Sequence, residues 1–145
     1  QQVFAHQGAR WEAEVQMPPM VKANAQTYEA FFTRLNGMEH TFSMANPLHN
    51  TVAAGSISGS VRKTKVTGSL SGASVGDYFS VGGSIHIITS LSPLEIMPPL
   101  RDNLTNATVD FSLPSGTWRL ASNEVSWTIN QASIYGFSFA CVEAL

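Results

Sequence analysis

Four histidines, one cysteine and ten carboxylates are the side chains of this 145-residue chain that could carry acid–base, nucleophilic or metal chemistry. The histidines are His6, His40, His49 and His86. None forms an HxH or HxxxH pair, and none has a cysteine or an acid at metal-ligand spacing. His86 stands between Ile85 and Ile87, so a strand there would turn it to solvent. His40 and His49 bracket a strand and a loop and read as surface residues. Cys141 falls on the apolar phase of an alternating run, where a free thiol behaves as a small hydrophobe. Being the only cysteine, it leaves no internal disulfide. Glu12 and Glu14 share the wet face of a strand, while Asp77, Asp102 and Asp110 are spread among turns. Nothing sets two acids on opposed walls as glycoside hydrolysis requires. The strings Gly55-Ser56-Ile57-Ser58-Gly59 and Gly68-Ser69-Leu70-Ser71-Gly72 carry Ile57 and Leu70 where a nucleophile elbow needs serine. No glycine-rich phosphate loop precedes a helix. The chain is therefore read as no enzyme, with no catalytic, cofactor-binding or metal-binding residue assigned and no cofactor.

Composition limits the partners. Net charge is −2, and the only basic cluster, Arg62, Lys63 and Lys65, is too short for a nucleic-acid footprint and suits a solvated hairpin tip. No apolar run approaches the ~18 residues of a membrane helix, and no signal-peptide pattern is seen. Neither nucleic acid nor membrane is expected as a partner. The chain begins at Gln1 without a methionine, and a trimmed start is expected. Asn103-Leu104-Thr105 and Asn106-Ala107-Thr108 have the form of glycosylation sequons but read as accidents of a Ser/Thr/Asn-rich chain. Charged residues make up 12% of the chain, against about 25% in an ordinary soluble domain. So few charges suit a subunit whose surface its neighbours cover.

Hydrophobic periodicity then places the elements. Trp11, Ala13, Val15 and Met17 alternate with Glu12, Glu14 and Gln16, so 2–17 reads as a strand ended by Pro18-Pro19. Val21, Ala25, Tyr28, Phe32 and Leu35 form one helical stripe, closed by Asn36-Gly37. A strand over 39–44 precedes Asn46-Pro47. Short strands are expected at 51–57, 61–66, 78–81, 85–89, 94–96 and 109–113. The two Gly/Ser strings read as coincidence or as the paired arms of a hairpin. Alternation returns around Trp118 and Leu120, around Val125, Trp127 and Ile129, and through Tyr135, Phe137, Phe139 and Cys141. The fold class expected is mainly β with one α-helix (α+β). Residues 1–48 and 116–145 would form a β-sandwich or split-barrel core carrying the helix at about 21–36, and residues 49–115 an inserted small all-β lobe. Trp11, Phe32, Phe42, Trp127 and Phe137 would share one buried cluster.

Several strings have a familiar order: Gln2-Val3-Phe4-Ala5-His6-Gln7-Gly8, Arg10-Trp11-Glu12, Met17-Pro18-Pro19-Met20, Phe31-Phe32 with Leu35-Asn36-Gly37, His40-Thr41-Phe42 and Asn46-Pro47-Leu48. Gly76-Asp77-Tyr78-Phe79, Met97-Pro98-Pro99-Leu100-Arg101, Gly116-Thr117-Trp118-Arg119-Leu120 and Tyr135-Gly136-Phe137-Ser138-Phe139 follow. Their order resembles a family of minor tail structural proteins of long-tailed bacteriophages and prophages. The match runs over nearly the whole chain and is poorest over 50–75. A strand, helix, strand order with an aromatic core also looks like the ring-forming part of distal tail proteins. The resemblance implies a virion protein at the distal end of the tail, and a homo-oligomeric ring, a hexamer by preference. It further implies the tail tube protein and the tail tip hub or baseplate proteins as partners. It carries no catalytic residues. The alternative is a lectin-like carbohydrate-binding β-sandwich module that reads host glycans. An aromatic side chain left in polar surroundings would mark that function, with Tyr78 and Trp118 the candidates.

Overall fold

The structure is a computed structural model that describes residues 9–46, 50–130 and 132–145. It is mostly β, with one helix and several sheets. Residues 11–42 and 117–144 form one compact unit, and residues 43–116 form the body of another.

The unit made from the two ends of the chain centres on β11 (Tyr135–Glu143). Along one edge of β11 runs β1 (Glu12–Gln16), antiparallel, with Glu12 opposite Val142 and Gln16 opposite Ser138. Pro18 and Pro19 cannot donate to the ladder, so the chain continues beside β11 through its flanking residues. Met17 N donates to Phe137 O at 2.9 Å and Met20 N to Tyr135 O at 2.9 Å. The other edge of β11 is shared. β10 (Ser126–Ile129) pairs with its first half, and β9 (Ser115–Leu120) with its last residues. The full order is β1-β11-β9-β2, with β10 on β11 and β2 spanning Phe42–Ala45.

The helix α1 (Lys22–Leu35) lies on one face of this sheet. Ala25, Phe32 and Leu35 are buried with Leu120 and Phe137, and Phe31, Phe42 and Phe139 pack at the margin. Phe32 stacks on Phe137 at 5.9 Å and meets Phe139 edge-on at 5.0 Å. The ends of the helical stripe depart from expectation. Val21 is 61% exposed because it is the N-cap, one residue before the helix, and Tyr28 lies at the rim. At the far end Asn36 adopts φ 51° and Gly37 φ 65°, the left-handed pair that ends a helix.

The aromatic cluster is narrower than alternation predicts. Trp11 is half-buried outside it, and Trp127 is 48% exposed. The physical reason is coverage. Phe137 lies on the central strand under α1, whereas Trp127 lies on a four-residue outer strand. Alternation reports which face a side chain takes, and says nothing of whether another layer reaches it.

The other unit holds two three-stranded sheets that share one apolar core. The first has the order β4-β3-β8, with β3 Ala54–Gly59, β4 Thr67–Ser71 and β8 Leu104–Thr108. The second is a meander of β5 (Tyr78–Val81), β6 (Ser84–Leu91) and β7 (Leu94–Met97). Ile57 of β3 meets Phe79 and Val81 of β5, Ile88 of β6 and Ile96 of β7 in this core. The two Gly/Ser strings are the two arms of one hairpin, with Gly55 opposite Leu70 and Ile57 opposite Gly68. The arms approach so closely that a Cβ on Gly55 would collide with Ser69 O, and one on Gly68 with Ser56 O.

Two expected strands are displaced. Residues 61–66 form no strand: they are turn and bend apart from a single bridge residue, Lys65, with Arg62 at φ 68°. They meet β7 at a single antiparallel bridge, Lys65 opposite Glu95, where Ile96 N donates to Thr64 O at 2.9 Å and Val66 N to Leu94 O at 3.1 Å. The strand expected at 109–113 is instead β8, just before it. Leu104–Thr108 is polar and mostly exposed, so its alternation is faint, whereas Val109 and Phe111 are buried plugs of the core. The part of the first expected strand at 2–8 and the break at Pro47 lie outside the described residues.

Candidate functional site

Among the described residues, those of greatest chemical reactivity are not brought together. His6 and His49 lie outside the described residues. His40 is exposed. His86 does not face solvent as expected: it is 1% exposed, stacked on Phe79 at 5.6 Å, with Nδ1 at 2.8 Å from Pro98 O. Both faces of β6 are covered here, so alternation with Ile85 and Ile87 does not give it a wet side. Such a partnered core histidine is a structural element.

Cys141 is buried, and burial pushes its thiol up to about 11. Glu12 and Glu14 are exposed on the sheet face away from α1. Asp77 accepts from Ser74 N at 2.8 Å within a turn. Asp110 accepts from Ser112 Oγ at 2.7 Å and from Ser112 N at 2.8 Å, which holds its carboxyl below the ordinary 3.8. Among the described residues no three of His, Cys, Asp and Glu come close enough to hold a metal ion. Asn103 accepts from Val61 N at 2.9 Å, and Asn106 sits at φ 46° bonded to Ser56 Oγ. Asn103 thus ties the chain at Val61, and Asn106 sits within β8 where its ladder with β3 is irregular. The basic cluster is exposed, and Lys65 pairs with Glu95 at 3.6 Å. No helix among the described residues is long and apolar enough to cross a membrane.

Of the two aromatic candidates, Trp118 is buried, 5% exposed, because β9 is covered at that position. Tyr78 is half-buried. The aromatic that stands out is Trp127, which the alternating pattern assigns to the core. It forms one wall of a cleft of about 280 Å³ between α1 and β10. Phe32 and Phe137 lie deepest there, with Trp127 and Phe137 rings 6.2 Å apart. The polar lining comes from Glu29, Thr33, Asn36 and Asn123.

Each of these is positioned by local backbone. Glu29 and Thr33 are one turn apart on α1, and Thr33 Oγ1 donates to Glu29 O at 2.7 Å. Asn36 is the left-handed C-cap, and its side-chain amide donates to Glu39. Asn123 is fixed by accepting from Met38 N at 3.0 Å. It packs so tightly that a Cβ on Gly37 would collide with its Oδ1. Its own Nδ2 remains able to donate, and the Glu29 carboxylate has no ion-pair partner among the described residues. A tryptophan beside a carboxylate and two amides can hold a small ligand with one apolar face and a polar rim. The signal missed in the sequence is the polar string Ser122-Asn123-Glu124 ahead of a strand of only four residues.

β10 has a second property. Among the described residues it pairs only with β11, so its outer edge is open, and all four of its residues are exposed and uncharged. Trp127 and Ile129, the latter 56% exposed, share its apolar side. Open uncharged edges are templates for pairing with another chain.

A scan against models of known protein families finds no match to this chain, and a search of curated proteins finds none either.

Proposed function

We propose that this chain is a structural subunit of a bacteriophage tail, a distal-tail-type protein that forms a ring, preferably of six copies. The ring would join the tail tube to the baseplate or tip hub. The order of strings from Gln2 to Phe139 supports this reading, and so does the low share of charge. The observation that carries it is the open edge of β10, which is uncharged, carries Trp127 and Ile129, and has Ile134 exposed beside it. A freely diffusing monomer ordinarily blunts such an edge with charge or proline. A ring subunit covers it with its neighbour. The role would be mechanical: repeated contacts set the diameter and symmetry of the junction. Light scattering behind size exclusion, over a range of concentrations, is expected to show a closed oligomer. A strict monomer at high concentration, also present singly in the particle, would overturn the reading.

A second reading has one specific observation in its favour. Trp127 is the aromatic left half-exposed among polar residues, as a carbohydrate-binding surface requires. Retention of the chain on immobilised host glycans, lost on competition with free sugar, is its test.

A further inference from the structure

We infer that the cleft between α1 and β10 is a subsite for one neutral pyranose ring, an inference that rests on the carbohydrate-binding reading. A pyranose has an apolar face of C–H groups and a rim of hydroxyls that both donate and accept. The cleft presents the complement. The ring of Trp127, 48% exposed, supplies the platform, and Phe32 and Phe137 close the space beneath it. Glu29 supplies an acceptor, Asn123 a donor through Nδ2, and Thr33 a hydroxyl, all on the same lining. The volume, about 280 Å³, holds a single sugar ring and little more.

The lining also discriminates between ligand classes. It contains no lysine, arginine or histidine, so a phosphate or carboxylate would meet only the negative charge of Glu29. A quaternary ammonium would find one carboxylate and the rings of Trp127, Phe32 and Phe137, but Phe32 and Phe137 are buried and only Trp127 offers an exposed face. Three neutral hydrogen-bonding residues, Thr33, Asn36 and Asn123, would be left unused by a cation and are used by a polyol. Two parts of the site are preorganised, since Asn123 is held by Met38 N and Gly37, and Trp127 by its strand pairing opposite Phe137. A ligand this small in an open cleft binds with Kd on the order of millimolar.

The test is a titration of the isotope-labelled full chain with glucose, galactose, mannose, rhamnose and N-acetylglucosamine, followed by two-dimensional NMR. At least one sugar is expected to shift the Trp127 indole N–H together with the Asn123 side-chain amide. Trp127→Ala should weaken that sugar by roughly tenfold. Glu29→Gln and Asn123→Ala should weaken it several-fold, and Thr128→Ala, on the opposite face of β10, should leave it unchanged. The spectrum of each variant reports whether it is folded. Because Glu29 is on the helix surface, Glu29→Gln keeps the test decisive if another variant unfolds. Shifts confined to other residues and unchanged in Trp127→Ala would overturn the subsite and leave the carbohydrate-binding reading standing. No response to any sugar anywhere in the spectrum would overturn both. A response of Trp127 to tetramethylammonium and to no sugar would make the cleft a cation site and overturn the inference.

Discussion

Trp127 and Phe137 stand directly opposite each other in the β10–β11 ladder, on the same face, yet one is 48% exposed and the other 2%. This pair allows a sharp test of coverage against alternation. Phe137→Ala removes a buried ring that contacts Phe32 at 5.9 Å, Tyr28 at 6.2 Å and Trp127 at 6.2 Å. The strand backbone and α1 hold the space open, so a cavity term adds to the transfer term, and the expected cost is about 4 kcal/mol, within the range for buried Phe→Ala. Trp127→Ala removes a larger side chain, but only about half of it leaves water on folding, and solvent fills the space. At about 25 cal/mol per Å² the expected cost is about 2 kcal/mol. The double variant should show a coupling of about 0.5–1.5 kcal/mol from the shared ring contact. In a unit of this size 1 kcal/mol moves the melting temperature by roughly 4–8 °C, so the two single variants should separate clearly in calorimetry. Far-UV circular dichroism is the second readout, because Trp127 is itself a fluorophore. Equal costs for the two substitutions would show that β10 is covered as fully as β11. That result would refute both the exposed-tryptophan argument and the cleft built on it.

Three further outcomes are expected. The bonds from Ser112 and Leu113 depress the Asp110 carboxyl, so the ionised form favours the folded state. Its contribution is complete above the unfolded value near 3.8 and is lost as pH falls through the lower folded value. Asp110→Asn should therefore lower the melting temperature at neutral pH and flatten the acid limb of the curve, with variant and parent converging once pH falls below the lowered folded value, read by melting temperature across pH. The Cys141 thiol, buried and pushed up to about 11, should resist iodoacetamide in the native protein at mildly alkaline pH and react on unfolding; rapid native labelling, followed by mass spectrometry, would contradict the burial. Finally, Asn46 N donates to Pro114 O at 2.8 Å, so the chain leaves for and returns from residues 47–113 at one point. Replacing that segment by a short Gly/Ser linker should leave a folded unit with α1 and β11 intact by near-UV circular dichroism, and loss of the aromatic signal would show that the segment is required for that fold.

Much of the secondary structure was legible because it depends on local pattern. Alternation marked β1, β9 and β11, the stripe through Ala25, Phe32 and Leu35 marked α1, and Asn36-Gly37 marked its end. The strand expected at 78–81 is β5, with the turn at Gly76-Asp77 just before it. β8 escaped because Leu104–Thr108 is polar and largely exposed, and 61–66 misled because apolar plugs such as Val66 mimic strand alternation.

Face assignment and coverage are separate quantities, and they divide what one dimension can carry from what three can. The period of a run states which side chains share a face, because the pleat and the helical turn are properties of neighbouring residues. Whether that face is covered depends on which element lies across it, a matter of contacts distant in sequence. His86 was turned to solvent by its neighbours Ile85 and Ile87 and is buried because both sides of β6 are covered. Trp118 and Trp127 exchanged roles for the same reason: β9 is covered at Trp118, whereas β10 is an outer strand whose residues stay exposed and Trp127 is left at the rim of the α1 cleft. The cleft lies wholly on this second kind of information. Glu29 and Asn36 meet Asn123 and Trp127 only because a helix from one end of the chain lies on a sheet completed by the other.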